Sequence, residues 1–435
     1  MPDPQQGISS PVTTDVNEFD HVACPFCGML CDDLTVRNES GQLHLAKNGC
    51  ARAKAGFERP IPPAAPQIEG KEVALEAALN EAANRIRSAR LPLFGGLGSD
   101  VEGLRALMAL ADKAGGVVDH ALSAALYKSV GVLQTKGWFM STLTETRNRA
   151  DLVIVVGVDL MREHPRFFKR IVSPAETMFG GTTEKRTVVL IGCGEGAAAR
   201  ARGELIADVM EIPCQREDIP VVLGTLRAAI KDVPHVTALP AGVSKEALGD
   251  LAQRCRDASY GVMTYAPQTL GFDGGDLAVQ AISDIVRDMN KTTRFAGLAL
   301  GGNDGSASAS AVCSWQTGYP LRVSFASGAP DYDPYRYDVA RMLAENEGDL
   351  LVWISSFGPE PASPPPNKLP LIVFAAPGLE PQRQADVFIP IGTPGLDQTG
   401  RMVRCDGVVS LPLRKLRSGL HPPLQEIAAK IEATL

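Results

Sequence analysis

No apolar run in this chain approaches the roughly 20 residues that a membrane-spanning helix needs. The longest, DLVIVVGVDLM (151–161), has the length and the valine and isoleucine content of a buried strand. Basic charge is also short. Lys and Arg number 43 against 50 Asp and Glu, a net charge of −7, so no global positive field draws nucleic acid. The first residues, MPDPQQGISSPVTTDVNEFD, lack the basic-then-apolar pattern of a leader and read as a flexible arm. No G-x-S-x-G elbow, Walker loop or H-E-x-x-H occurs, which leaves serine hydrolase, P-loop and zincin chemistry without a motif. His21, His44, His120, His235 and His421 have no spacing that suggests a metal pair or a catalytic dyad. Between Ala51 and Gly192 there is no cysteine at all.

What is present is an ordinary globular composition, 45% hydrophobic and 21% charged, on 435 residues, enough for two or three domains. Proline marks a linker at ERPIPPAAPQIEG (58–70) and a surface loop at SSFGPEPASPPPNKLP (355–370). Beyond the linker, helical apolar spacing alternates with short β-branched runs. Residues 72–90 read as a helix, LPLFGGLGSD as a strand entering a glycine turn with Asp100 as an N-cap, and DLVIVVGVD as a strand. RMVRCDGVVSLPL reads as a hairpin and HPPLQEIAAKIEATL as a closing helix. Such alternation predicts an α/β fold with parallel sheets covered on both faces. The expected division is an arm at 1–20 and a cysteine-rich unit at 21–60. Doubly wound parallel-sheet domains at 61–240 and 241–375 follow, and a segment at 376–435 completes the α/β core.

Four of the nine cysteines are clustered. HVACPFCGMLCDD carries Cys24, Cys27 and Cys31, and Cys50 follows, a spacing of C-x2-C-x3-C-x18-C. Nine cysteines in a chain this long do not make a disulfide scaffold, and in a cytoplasmic chain, the location expected here, clustering points to metal. Zinc prefers two separated C-x2-C knuckles; a [4Fe–4S] cluster takes three local thiolates and a remote fourth. The three-plus-one spacing favours iron–sulfur, with zinc and a set that has outlived its metal as the alternatives. Cys193, Cys214, Cys255, Cys313 and Cys405 are scattered and read as small apolar core groups.

The stretches CGMLCDD, NRADLVIVVGVDLMREHPRFFKR, SWQTGYPLRVSF, ADVFIPIGTPGLDQTGRMVRCDG and LPLRKLR resemble the B subunit of formylmethanofuran dehydrogenase, of the molybdopterin oxidoreductase superfamily. They span about 24–416, nearly the whole chain. The resemblance implies a [4Fe–4S] cluster on Cys24, Cys27, Cys31 and Cys50, serving a bis-pterin Mo or W site between two α/β domains. It also implies pterin contacts around Gly157, Asp159, His164, Arg166, Gln316 and Thr317, with Tyr319 beside them. Lys54 is placed between cluster and pterin.

Two departures decide the expected function. The family's metal-ligating thiol belongs at the start of the helix after GVVD, where DHALSAALYKS places Ala125, flanked by Ser123 and Ser129. After RTVVLI, where the family holds the pterin nucleotide, the chain has GCGEGAAARARG. Alanine cannot ligate a metal, so Mo- or W-pterin is expected to be absent and no residue is assigned a catalytic role. The chain then resembles most closely the B subunit of the bacterial formyltransferase/hydrolase complex. That resemblance implies a non-catalytic scaffold in tetrahydromethanopterin-linked formaldehyde oxidation. Its implied partners are an amidohydrolase-like A, a β-helical C and a formyltransferase-like D subunit, with no nucleic acid or membrane. The rivals are an active Mo or W dehydrogenase and an iron–sulfur relay without pterin.

Overall fold

The computed structural model describes residues 16–180, 186–205, 207–234, 238–357, 363–378 and 383–435. Residues 1–15 of the expected arm, His235 and part of the 355–370 loop lie outside the described residues. Residues 16–20 are not arm. They begin the strand Val16–Val22, which pairs antiparallel with Leu34–Glu39, itself paired with Gln42–Lys47.

Two larger sheets form the body. One has five strands, all parallel, in the order Asp208–Ile212, Thr187–Ile191, Leu152–Val156, Tyr260–Tyr265, Arg294–Ala299. The central strand Leu152–Val156 is wholly buried, as its unbroken LVIVV run requires when helices cover both faces. The order reverses between Leu152–Val156 and Tyr260–Tyr265, the place where an open α/β sheet leaves a crevice at its carboxyl edge. The other sheet has nine strands. Its parallel centre runs Val117–Val118, Pro92–Gly98, Leu350–Ser355, Leu371–Ala375, Val387–Pro390, with short antiparallel strands at both edges.

The α/β class is thus as expected, but sheet membership cuts across the two contiguous stretches. Pro92–Gly98 and Leu152–Val156 both fall in 61–240 yet belong to different sheets, and so do Tyr260–Tyr265 and Leu350–Ser355 in 241–375. Periodicity shows where a strand is, not which strand it pairs with. The tail joins the nine-stranded sheet through Val387–Pro390, and the helix Leu424–Thr434 packs on the helix Val101–Lys113. Asp100 caps that second helix as expected, accepting the Gly103 N–H at 3.3 Å. The hairpin is Gly400–Val403 with Ser410–Leu413. Among the described residues no helix is long and apolar enough to cross a membrane.

Candidate functional site

The cysteines of HVACPFCGMLCDD fold into a tight loop. Cys24 N–H reaches the Cys31 carbonyl at 2.8 Å, Leu30 N–H reaches the Cys27 carbonyl at 3.2 Å, and Leu30 takes a positive φ of 43° to close the turn. Cys50 stands at the start of the helix Ala51–Phe57, its sulfur accepting the Ala53 N–H at 3.4 Å. Phe26 from the loop and Phe57 from this helix meet edge to face, centroids 5.1 Å apart, and hold the two segments together. Cys24, Cys27 and Cys31 are buried and Cys50 is half-buried; all are free thiols.

The four are close enough to act on one another electrostatically. Burial, then the charges of Cys27 and Cys31 and more weakly Cys50, holds the Cys24 thiol well above its ordinary value. Cys27 is pushed up to about 12 by burial and by Cys31. Burial also raises Cys31, while Arg170 and Arg166 pull it down. Empty, such a nest is a set of neutral thiols; as thiolates they need positive charge nearby. Arg52, Arg166 and Arg170 supply it, acting on Cys27 and Cys31. Lys54, which the resemblance sets between cluster and pterin, is exposed and pairs with Glu58 at 3.9 Å. Among the described residues no group of three or more His, Cys, Asp or Glu side chains is placed to hold a metal ion. Four free cysteines on one loop and one helix start are the donor type that an iron–sulfur cluster takes.

Beside the nest lies a cavity of about 310 Å³ between the two large sheets. Its walls come from the first turns of the helix Ser123–Lys136, the turns after Tyr260–Tyr265 and Arg294–Ala299, the helix Ser306–Thr317, and Arg404, Cys405 and Gly407 of the hairpin. Ala125 faces it, flanked by Ser123 and Ser129. Ser129 shares a 2.9 Å hydrogen bond with the Tyr265 hydroxyl, and Ser123 accepts from Arg322 at 3.2 and 3.3 Å. Nest and cavity touch at Gly28. A Cβ there would meet the Gly301 carbonyl oxygen at 1.9 Å and Cys405 Cβ at 3.0 Å, and Cys405 N–H donates to the Gly28 carbonyl at 2.8 Å. Only glycine permits that approach.

The chain is 28% identical over 413 residues to the B subunit of the tungsten-containing formylmethanofuran dehydrogenase 2 of Methanococcus maripaludis, covering 92% of this chain and 94% of the relative. Among solved structures, a chain of the Methylorubrum extorquens formyltransferase/hydrolase complex FhcABCD with methylofuran superposes with a TM-score of 0.73 at 26% identity, covering 85% of this chain and 98% of that one. The chain is thus similar to formylmethanofuran dehydrogenase B subunits over nearly its whole length. It is also 28% identical over 342 residues to the B subunit of the formyltransferase/hydrolase complex Fhc of Methylorubrum extorquens, covering 77% of this chain and 87% of that one. No family model matches.

The other residues singled out from the sequence do not line the cavity. Gly157 has a positive φ of 67° at a strand end, its N–H on the Ile191 carbonyl at 2.9 Å. Asp159 caps the short helix Leu160–Glu163 and takes Arg200 at 2.6 Å. His164 is fully buried with Nε2 donating to the Leu300 carbonyl at 2.8 Å, and Arg166 grips Asp33 at 2.6 and 2.7 Å. Gln316 is exposed, and Thr317 donates to the Cys313 carbonyl at 2.7 Å. From SWQTGYP it is Trp315 that reaches the cavity, while Gln316 is exposed and the half-buried Thr317 lies over the core residue Cys313. Tyr319 stacks on Tyr332, centroids 4.9 Å apart. Cys405, by its isolation in sequence, reads as an inert core thiol. It is half-buried, lines the cavity and feels the charge of Cys27, and only tertiary contact reveals this.

Proposed function

We propose that this chain is a non-catalytic scaffold subunit of a cytoplasmic formyltransferase/hydrolase complex, in tetrahydromethanopterin-linked oxidation of formaldehyde to formate. Its partners would be an amidohydrolase-like, a β-helical and a formyltransferase-like subunit. The observation that carries the reading is Ala125, a methyl group on the cavity wall at the position where the family resemblance calls for a metal-binding thiol. The match to a chain of FhcABCD supports the choice of partners. In this reading the fold is a cysteine-rich unit serving two doubly wound halves. Cys24, Cys27, Cys31 and Cys50 hold a [4Fe–4S] cluster, which supplies one-electron transfer when bound. The former pterin neighbourhood of Gly157, Asp159, His164, Arg166, Gln316 and Thr317 serves packing.

Cys405 favours a second reading, an active dehydrogenase, since its thiol faces the same cavity. Anaerobic purification with the partner subunits, followed by Fe, sulfide, Mo and W analysis, separates the two. A scaffold yields an assembled complex without Mo or W, and Ala125→Cys does not restore either metal. Stoichiometric Mo or W in the wild-type chain rejects the scaffold.

A further inference from the structure

Arg166 and Arg170 stand on a stretch that leaves α-helical register. Phe168–Val172 forms a π turn, closed by Ser173 N–H on the Phe168 carbonyl at 2.8 Å, while Arg170 N–H still reaches the Arg166 carbonyl at 2.9 Å. Wide turns of this kind concentrate at functional sites. Arg186 holds the turn from behind, donating to the Ile171 and Val172 carbonyls, both at 2.9 Å. Both guanidinium groups of Arg166 and Arg170 point toward residues 31–33. Arg166 spends its fork on Asp33. Arg170 takes Asp32 at 2.7 Å and lies 3.8 Å from Asp33, which brings its positive charge up to Cys31, whose thiol it pulls down. Two carboxylates thus aim an arginine at a sulfur. An N–H···S bond there is weak to a neutral thiol and strong to a thiolate, so the arrangement matters only when Cys31 carries charge.

We propose that Arg170 is a positioning residue of the cysteine nest: its guanidinium donates a charge-assisted N–H···S bond to the Cys31 thiolate of a bound iron–sulfur cluster, anchors that corner and raises the cluster's reduction potential. The proposal rests on the cluster part of the proposed function and is independent of the scaffold part. Hydrogen bonds to the ligand sulfurs and local positive charge favour the more negative, reduced state of such a cluster. Arginine keeps its charge at any working pH and offers a planar fork that can serve carboxylate and sulfur together.

The test uses the whole complex, purified without oxygen, as wild type, Arg170→Gln, Arg170→Lys and Asp32→Asn. Iron and sulfide per chain, the midpoint from a potentiometric titration followed by electron paramagnetic resonance, and the rate of iron loss to a chelator are measured. Arg170→Gln is expected to assemble, to show a lower midpoint and to lose iron about tenfold faster. Arg170→Lys should recover part of the midpoint because the charge remains. Asp32→Asn, at an exposed carboxylate, releases Arg170 to the sulfur and should raise the midpoint, and it serves if Arg170→Gln does not fold. Unchanged midpoint and loss rate in Arg170→Gln overturn the proposal, as does an unchanged or lowered midpoint in Asp32→Asn. Wild-type protein without iron or sulfide also overturns it, while leaving the scaffold reading to stand on assembly.

Discussion

His164 is enclosed on all sides, and its ring makes one hydrogen bond through Nε2; Nδ1 has no partner among the described residues. Charging the ring would bury a proton with nothing to accept it, and burial accordingly lowers its pKa to about 4. The unfolded chain binds that proton near the ordinary value of about 6.5, so the folded state loses stability as pH falls from there toward 4. Asp119, raised to about 7 mainly by burial, works in the opposite sense: it favours the fold as pH falls below that value. Only a difference measurement isolates the histidine. The stability of wild type minus that of His164→Gln, from urea midpoints, should shrink by about 2 kcal/mol between about pH 7.5 and pH 5. A pH-independent difference would contradict the buried neutral ring. At this scale the sequence is legible where spacing brings groups together, as with the four cysteines of the nest. It misleads where burial decides. The strand end before His164 and Arg166 suits a ligand, but both side chains are committed, one to the Leu300 carbonyl and one to an ion pair with Asp33.

Elements are easier to read than contacts. Asp100 precedes a run of helical apolar spacing and caps it, with the helix burying Leu104, Leu107, Met108 and Ala111. Removing the cap with Asp100→Ala should cost about 1 kcal/mol, and Asp100→Asn, which keeps an acceptor, should cost less; thermal midpoints of the two variants test this. The stretch HPRFFKRIV reads as the start of a helix. It follows the short helix Leu160–Glu163 and enters the π turn instead, because Arg166 and Arg170 are drawn toward Asp33 and Asp32 by partners over a hundred positions away in sequence. Local propensity carries no trace of such partners.

For the molecule as a whole, the decisive fact is that neither large sheet is built from one contiguous stretch. The strand Pro92–Gly98 has Val117–Val118 on one side and Leu350–Ser355 on the other. A fragment ending at residue 240, the boundary that alternation suggests, keeps the first neighbour and loses the second. It also loses Tyr260–Tyr265 and Arg294–Ala299 from the other sheet. Such a fragment is expected not to fold. Limited proteolysis and amide exchange of residues 1–240 should show no protected core, and a stable fragment would refute the shared-sheet account.

The same interleaving sets a clock on synthesis. Roughly 250 residues separate Pro92–Gly98 from Leu350–Ser355, and ribosomes add about 5–20 residues per second. For tens of seconds, then, each nascent chain carries a fully apolar strand with one side unclaimed, in a form open to chaperones and to its own neighbours on the polysome. The cysteine loop is made first, but Gly301 and Cys405, which close over Gly28, arrive late. Access to the thiol nest is therefore widest before translation ends.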